Sequence, residues 1–268
     1  MKISLVQVAS PADEPVPDRI ERVGEMVATT SADLVILPEL WGPGYFAFDE
    51  YEERAEPMTG PTVAAARDWA RGLACHLHLG SFLERDAAGL HNTAVLIDPG
   101  GEIVHTYRKI HVFGYQSREA ELLVPGDSVG VARTGLGPVA ATTCYDLRFP
   151  ELWRALVDAG AQTVVVPAAW PAVRLQHWQV LTQCRALEQQ VLVCAVNAVG
   201  RQGGVELGGH SRVVDPWGRV LLEAGTGEGV FTCEVADGLV PATRAEFPVL
   251  GDRVSSIDIT TTRRDVAP

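Results

Sequence analysis

The chain has 268 residues, of which 47% are apolar, and a formal net charge of −12 at pH 7. This apolar content excludes a disordered chain and allows a sizeable core. The acidic balance argues against the broad basic surface of a nucleic-acid-binding protein, so we expect no nucleic-acid partner.

The N-terminal stretch MKISLVQVAS contains a short apolar run that stops at Ser10 and Pro11. It lacks the long apolar region and the cleavage site of a signal peptide. The sequence also has no run of 18 consecutive apolar residues, which a transmembrane helix would need. We therefore expect a cytoplasmic protein that does not bind a membrane.

Strands and helices alternate along the first half of the chain. A buried strand is predicted over KISLVQVAS, a second over DLVILPE and a third over HLHLGSFLE. NTAVLIDPGGEIVHTYRK predicts a hairpin around its Pro-Gly-Gly turn. Two helices are predicted between these strands from apolar residues at helical spacing: Val16, Ile20, Val23 and Val27, then Val63, Ala66, Ala70 and Leu73.

The second half continues the alternation. GPVAATTC, QTVVVPAAW and VLVCAVNAVG predict strands, PELWRALVDAG predicts a helix, and GGHSRVVDPWGRVLLEAG predicts a hairpin. One more helix is predicted from an apolar stripe: Trp178, Leu181, Cys184 and Leu187. This order indicates the α/β class, with mixed sheets covered by helices. Residues 251–268, rich in Thr, Arg and Asp, predict an exposed arm or tail.

The five cysteines have irregular spacings and include no CxxC pair. This pattern is typical neither of a disulfide framework nor of a zinc site. We expect free thiols and no metal, with four of the five serving as small core residues. The five are Cys75, Cys144, Cys184, Cys194 and Cys233.

Three reactive side chains come at the ends of predicted strands. Glu39 ends LVILPE, Lys109 ends EIVHTYRK and Cys144 ends PVAATTC. Functional groups gather beyond the carboxyl ends of strands in open α/β sheets. Each residue alone is better explained as a solvated charge or an inert thiol, so a functional role depends on their combination.

The chemistry of the three side chains is complementary. A thiol with a pKa of about 8.5 is mostly protonated at neutral pH and needs a base. Burial of Glu39 beside LVIL would raise its pKa towards that role. The Lys109 ammonium and the Tyr145 N–H can then stabilise the negative charge on an attacked carbonyl oxygen.

The motifs LPEL, YRKIHVF, PGD and CYDLRFPELWR resemble, in this order, those of the nitrilase superfamily of carbon–nitrogen hydrolases. HWQVLTQCRALEQQVLVCAVNAVG and GHSRVVDPWGRVL resemble its later segments, so the resemblance runs from Lys2 to about Glu223. It implies a single domain over residues 1–268, folded as an α/β, four-layer α-β-β-α sandwich. It also implies a homodimer or a higher homo-oligomer.

The resemblance implies a catalytic triad of Glu39, Lys109 and Cys144 that needs no cofactor. The family has a second glutamate six residues before the proline of PGD. Counting back gives Glu119, which would orient Lys109, and Glu121 is a nearby rival. The sequence lacks GxGxxG, GxxxxGK[ST] and GxSxG, so nucleotide binding and α/β-hydrolase chemistry have no support.

Four further residues are candidates for lining the substrate pocket: Tyr45, Tyr145, Arg148 and Trp170. Structural roles explain two of them equally well. Arg148 can form an ion pair with Asp146 or Glu151, and Trp170 can be a core residue.

The branch of the superfamily that CYDLRFPE most resembles is the Nit type, which includes ω-amidases and deaminated-glutathione amidases. This implies a cysteine-dependent amidase that hydrolyses a small, carboxylate-bearing amide through a thioester. An acyltransferase, an N-carbamoyl hydrolase, a nitrilase and a non-catalytic scaffold of the same fold remain open alternatives.

The histidines offer a different base for a thiol nucleophile. His111 and His210 do not end a strand as Glu39 does. His76 and His78 would face the same side of a strand but lack a third metal ligand. We therefore interpret the histidines as structural residues with satisfied hydrogen bonds.

Overall fold

The computed structural model describes residues 1–254. These residues contain the following strands: β1 (Lys2–Gln7), β2 (Leu34–Ile36), β3 (His76–Asp86), β4 (Gly89–Ile97), β5 (Ile103–Arg108), β6 (Val131–Thr134), β7 (Gly137–Ala141), β8 (Thr163–Ala168), β9 (Leu192–Asn197), β10 (Val199–Gln202), β11 (Val205–Gly208), β12 (Arg212–Val214), β13 (Val220–Glu223) and β14 (Gly229–Glu234). They also contain the following α-helices: α1 (Val16–Ala28), α2 (Tyr51–Arg54), α3 (Pro61–Leu73), α4 (Glu119–Leu122), α5 (Pro150–Asp158), α6 (Leu175–Gln189) and α7 (Leu239–Glu246).

Two six-stranded sheets carry the fold. The first has the order β14-β1-β2-β3-β4-β5 and the second the order β13-β12-β9-β8-β7-β6. The central strands β1, β2 and β3 are parallel, as are β7, β8 and β9. Their carboxyl ends therefore supply loops at a common edge of each sheet, where functional residues gather.

The two sheets pack against each other, and helices cover their outer faces. Apolar side chains of both sheets, such as Leu5, Ile36 and Val165, form the core between them. Helices α1 and α3 pack on the first sheet, and α5 and α6 pack on the second. Each such fully buried aliphatic side chain contributes about 1.5–3 kcal/mol. The predicted four-layer α-β-β-α sandwich is confirmed.

Every strand and helix predicted from the sequence is present, with small changes of extent. VLVCAVNAVG is divided into β9 and β10, and the predicted strand over DLVILPE is only three residues long. In the second predicted hairpin, Gly218 N–H donates to the Asp215 carbonyl at 2.9 Å, which closes the predicted turn.

The apolar stripe predicted for α6 is confirmed at Trp178, which is buried, and at Leu181, which packs against the core, but it is wrong at its second half. Leu187 is 54% exposed and Cys184 is exposed, whereas Arg185 and Gln189 are buried. The Arg185 Nε donates to the Leu147 carbonyl at 3.0 Å, so this buried guanidinium has a hydrogen-bond partner inside the molecule. The face that α6 buries therefore combines apolar residues such as Trp178 with the hydrogen-bonded Arg185.

The expectation that four cysteines belong to the core is wrong for the same helix. Cys75, Cys144 and Cys194 are buried, but Cys184 is exposed and Cys233 is only partly buried. All five thiols are free, as predicted.

The C-terminal arm predicted over 251–268 falls mainly on residues 255–268, which lie outside the described residues. Just before them, Val249–Asp252 forms a 3-10 turn. Within residues 1–254, no helix combines the length and apolar character needed to cross a membrane. The expected homo-oligomer stays a prediction.

Candidate active site

Glu39 lies between the two sheets, three residues after the end of β2. Its Oε1 accepts hydrogen bonds from Lys109 Nζ at 2.8 Å and Asn92 Nδ2 at 2.9 Å. Its Oε2 accepts one from the backbone N–H of Ala169, which directly follows β8 of the second sheet, at 2.9 Å. These donors fix a carboxylate that is only 1% exposed.

Lys109 directly follows β5 and lies between two carboxylates. Besides Glu39, its Nζ donates to both oxygens of Glu119, at 2.8 and 2.9 Å. Glu119 in turn accepts from the Tyr45 hydroxyl at 3.0 Å and from the Phe113 N–H at 2.7 Å. The structure therefore places Glu119 beside Lys109, while the rival Glu121 is exposed.

Cys144 begins a 3-10 turn over Cys144–Arg148, which we call the cysteine turn. It has a φ of +47°, in the left-handed region that non-glycine residues adopt at a cost of about 1–3 kcal/mol. Such conformations persist only where the surroundings enforce them and are common at active sites. The first N–H groups of a helical turn have no acceptor within it, which suits the Tyr145 N–H as a donor to a ligand.

The electrostatics of the site keep the Cys144 thiol protonated and make Glu39 a stronger base than an exposed carboxylate. Burial raises the pKa of the Glu39 carboxyl; the Lys109 ammonium opposes this rise and the Glu119 charge adds to it. Burial and the Glu39 charge raise the pKa of the Cys144 thiol well above its ordinary value. Burial works against the Lys109 charge, but Glu119 and Glu39 raise its pKa, so Lys109 is an ammonium. The thiol is therefore protonated at neutral pH and needs a base.

A pocket with mainly aromatic walls opens above Cys144. All four lining residues predicted from the sequence lie on it: Tyr45, Tyr145, Arg148 and Trp170. Trp170 also packs on Trp178 at 5.7 Å between ring centroids, so it belongs to the core and to the pocket. Five further lining residues were not named individually from the sequence: Phe46, Phe113, Ala169, Pro171 and Arg174.

Two guanidinium groups face this pocket. Arg148 lies over the Trp170 ring at 4.7 Å, and its Nη2 is 3.1 Å from His177 Nδ1. Arg174 lies over the Phe113 ring at 5.5 Å. In the described part of the chain neither arginine has a carboxylate within 4.0 Å, so the ion pair expected as an alternative for Arg148 is not formed.

His111, His210 and His78 make their hydrogen bonds to residues other than Glu39, Lys109 and Cys144. His111 Nδ1 is 2.7 Å from Asp146 Oδ1, and His210 Nδ1 is 3.0 Å from Glu223. His78 is buried, and its Nδ1 accepts from Gly80 N–H at 3.2 Å. Its Nε2 has no partner among residues 1–254, so the expectation of fully satisfied histidines is wrong here. The described residues hold no group of three potential ligands that could bind a metal.

Asn92 is a further polar residue of the site that was not predicted from the sequence. It lies within β4, and its Nδ2 donates to Glu39 and, at 3.2 Å, to Glu119. A polar residue inside an apolar strand was the available signal, because a buried amide needs partners.

Comparison with known proteins identifies the family of the chain. The profile of the carbon-nitrogen hydrolase family matches residues 2–245. The chain belongs to this family. It is 38% identical over 266 residues to a 2-oxoglutaramate amidase of Paenarthrobacter nicotinovorans, covering 96% of this chain and 90% of that protein. It is 34% identical over 244 residues to the human omega-amidase NIT2, with 86% of each chain covered. The chain is thus a hydrolase of the amidase type.

Solved structures show the same fold. The superfamily protein XC1258 of Xanthomonas campestris, which carries an arsenic adduct in its active site, superposes with a TM-score of 0.88 at 30% identity, covering 96% of this chain and 98% of that chain. An amidase of Nesterenkonia sp. AN1 superposes with a TM-score of 0.78 at 27% identity, covering 94% and 99%. That structure is of a mutant of the amidase and shows the Michael addition of acrylamide at the active-site cysteine.

Proposed function

We propose that the chain is a cysteine-dependent amidase that hydrolyses the terminal amide of a small, carboxylate-bearing molecule through a thioester. The observation that carries this proposal is the position of Cys144. It sits beside the buried Glu39–Lys109 pair and opens into a pocket that also presents two arginines without carboxylate partners.

In the proposed first half-reaction, Glu39 takes the proton of the Cys144 thiol as Sγ bonds to the amide carbon. The Lys109 ammonium and the Tyr145 N–H stabilise the oxyanion. One such donor is typically worth about 3–4 kcal/mol of transition-state stabilisation. The tetrahedral intermediate then expels the amide nitrogen, which takes the proton from Glu39 and leaves as ammonia.

In the second half-reaction, Glu39 takes a proton from water, which attacks the thioester carbon. The carbon–sulfur bond breaks, the acid product forms, and the proton returns to the Cys144 sulfur. Glu119 holds Lys109 in place throughout. An ammonium between two carboxylates stays charged while Glu39 gains and loses its proton.

Two observations support a carboxylate on the substrate. Arg148 and Arg174 both line the pocket, and in an acidic chain two neighbouring arginines without counter-ions favour an anionic ligand. The amidases named above as relatives act on 2-oxoglutaramate or on ω-amides, according to their names. A monoamide of a short dicarboxylic acid fits both observations.

The proposal is tested with a pair of amides of matched length, succinamate and butyramide, which differ in a carboxylate. Ammonia release should be faster for succinamate. Arg148→Gln and Arg174→Gln should each lower kcat/KM for succinamate about 10- to 100-fold, since a hydrogen bond to a charged group is worth about 1.5–3 kcal/mol. Both should leave the value for butyramide within about threefold.

Arg154→Gln is the matched control, because Arg154 lies on α5 outside the pocket. Equal losses for both amides would show that the arginines only support the structure. Full activity of Cys144→Ala would refute the nucleophile. Faster release from nitriles or N-carbamoyl compounds, faster acyl transfer to an added amine, or no turnover of any substrate would favour the alternatives named above.

A further inference from the structure

The carboxylate of Asp146 lies in the cysteine turn, two residues after Cys144, and is completely buried. Its Oδ2 accepts from the Thr143 N–H at 2.9 Å and from the Tyr107 hydroxyl at 2.7 Å. Its Oδ1 lies 3.0 Å from the His111 N–H and 2.7 Å from His111 Nδ1. A carboxylate offers about four acceptor sites, so all are occupied.

These partners come from both segments that carry the reactive groups. Tyr107 and His111 flank Lys109 by two residues on each side, at the end of β5 in the first sheet. Thr143 directly precedes Cys144, after β7 in the second sheet. One buried carboxylate therefore fixes the distance between the chain at Lys109 and the chain at Cys144.

The same carboxylate supports the strained backbone of Cys144. Its bond to Thr143 N–H holds the residue before Cys144, and the carbonyl of Asp146 accepts from Trp153 Nε1 at 3.2 Å. The cysteine turn is thus held on both sides of the residue with a φ of +47°. This arrangement is what a left-handed cysteine requires in order to persist.

A direct chemical role for Asp146 does not fit the geometry. Neither Asp146 nor His111 is among the residues that line the pocket. The His111 ring instead stacks on Phe149 at 3.7 Å between ring centroids. The acceptor sites of Asp146 are filled by the protein itself, so it acts on the reaction only through the positions of its neighbours.

We propose that Asp146 is a positioning residue that holds the Cys144 sulfur against Glu39 and Lys109, with Tyr107 and His111 as its partners. This inference rests on the proposed role of Cys144 as the nucleophile. The aspartate of CYDLRF and the histidine of YRKIHVF thus have a structural role at the site, and they do not bind the substrate.

Asp146→Asn tests the proposal without changing the side-chain volume. An amide at this position must point its NH2 group either at the Thr143 N–H or at the His111 N–H, so a donor faces a donor in both orientations. We expect kcat to fall about 100-fold, the loss typical of a displacement of about 1 Å, with KM within about threefold. Excess iodoacetamide alkylates Cys144 in the molecules whose thiol it can reach, and peptide mass spectrometry gives the fraction of molecules alkylated. The kcat is then calculated per alkylatable molecule.

A second measurement needs no turnover. The pH midpoint for Cys144 alkylation should lie above the ordinary cysteine value in the wild type, because burial and Glu39 disfavour the thiolate. In Asp146→Asn it should move down towards that ordinary value, since the thiol moves away from Glu39. Tyr107→Phe removes one of the four hydrogen bonds to Asp146, and with it the acceptor of the Ile110 N–H at 3.3 Å. It should shift both readouts in the same directions by smaller amounts, which covers the case in which Asp146→Asn fails to fold.

Asp215→Asn is the matched control. Asp215 is also buried, and its Oδ1 accepts from Trp217 N–H and Arg219 N–H in the β12–β13 turn, away from the pocket. Both readouts should stay within twofold of the wild type there. An unchanged kcat per alkylated Cys144 or an unchanged midpoint in Asp146→Asn would overturn the proposal. Absence of wild-type turnover would refute the proposed function alone. The pH midpoint of Cys144 alkylation would still test whether Asp146 positions the sulfur.

Discussion

Acid should destabilise the fold through His78, a buried residue of β3. Its Nε2 has no partner among the described residues, and burial, with a smaller effect of His105, lowers its pKa to about 3. The unfolded chain binds a proton at the ordinary histidine pKa of about 6.5. Below that pH the unfolded state holds more protons than the folded state, so the free energy of unfolding falls as the pH falls from 6.5 towards 3.

The size of the effect follows from the two pKa values. One pKa unit corresponds to about 1.4 kcal/mol. At pH 5, which is 1.5 units below about 6.5 and well above the folded-state value of about 3, His78 should therefore cost about 2 kcal/mol of stability relative to pH 8.

His78→Gln isolates this contribution. Glutamine keeps an acceptor for the Gly80 N–H and does not titrate, so the variant lacks the acid-dependent loss. Urea unfolding of both proteins at pH 8 and pH 5, at equal protein concentration, gives the difference in their unfolding free energies. That difference should move by about 2 kcal/mol in favour of the variant at pH 5, because all other titrating groups are shared.

Substitution of His177 provides the control, because His177 is exposed and lies on α6. For His177→Gln, the difference from the wild type should be the same at both pH values within about 0.5 kcal/mol, a typical effect of a surface substitution. Parallel stability curves for the wild type and His78→Gln would refute the reasoning, since they would mean that the folded protein protonates His78 as readily as the unfolded chain.

Three further predictions concern the site and its support. Glu39→Gln removes the proposed base and should lower kcat for ammonia release about 10²- to 10⁴-fold; a loss below tenfold would contradict that role. Glu119→Gln should move the acid limb of the kcat/KM profile to lower pH, because the Glu119 charge raises the pKa of Glu39; an unmoved limb would count against this coupling. Gly80→Ala should cost more than about 1 kcal/mol in urea unfolding and should also lower kcat. Gly80 has a φ of +76°, and an added Cβ would lie 1.9 Å from the carbonyl oxygen of Pro38, which precedes Glu39. Gly72→Ala, where an added Cβ meets nothing within 4 Å, should be neutral or stabilising by up to about 1 kcal/mol, and equal losses at both glycines would contradict the steric argument.

The layered fold was predictable because the central strands of its sheets are buried on both faces. Strands such as β8 and β9 are continuous apolar runs that no solvent-facing side chain interrupts, which is typical of parallel strands between two layers. The orientation of α6 was not predictable from the same logic. Its apolar stripe lies partly in solvent, while Arg185 turns inward to a carbonyl of the cysteine turn, and a hydrophobic pattern carries no record of such a bond.

The residues of the site differ in how far the sequence alone could predict them. Glu39, Lys109 and Cys144 follow strands, so their position in the sequence already indicated a common edge. Glu119 lies in a four-residue helix of its own and was reached only through the resemblance to a family. Arg174 lies outside every quoted motif, and only the folded chain brings its guanidinium to the pocket.

The cysteine turn explains why polar contacts limit prediction at this site. Asp146 connects it to the end of β5, Trp153 holds it from α5, and Arg185 holds it from α6. The bonds of Tyr107 to Asp146 and of Arg185 to Leu147 join residues 39 and 38 positions apart, a separation that no helical or strand pattern reports. A strained cysteine needs such directional support, because apolar packing alone does not fix a backbone in the left-handed region. Replacing the residues that make these hydrogen bonds should therefore disturb the chemistry at Cys144, although these residues do not contact the substrate.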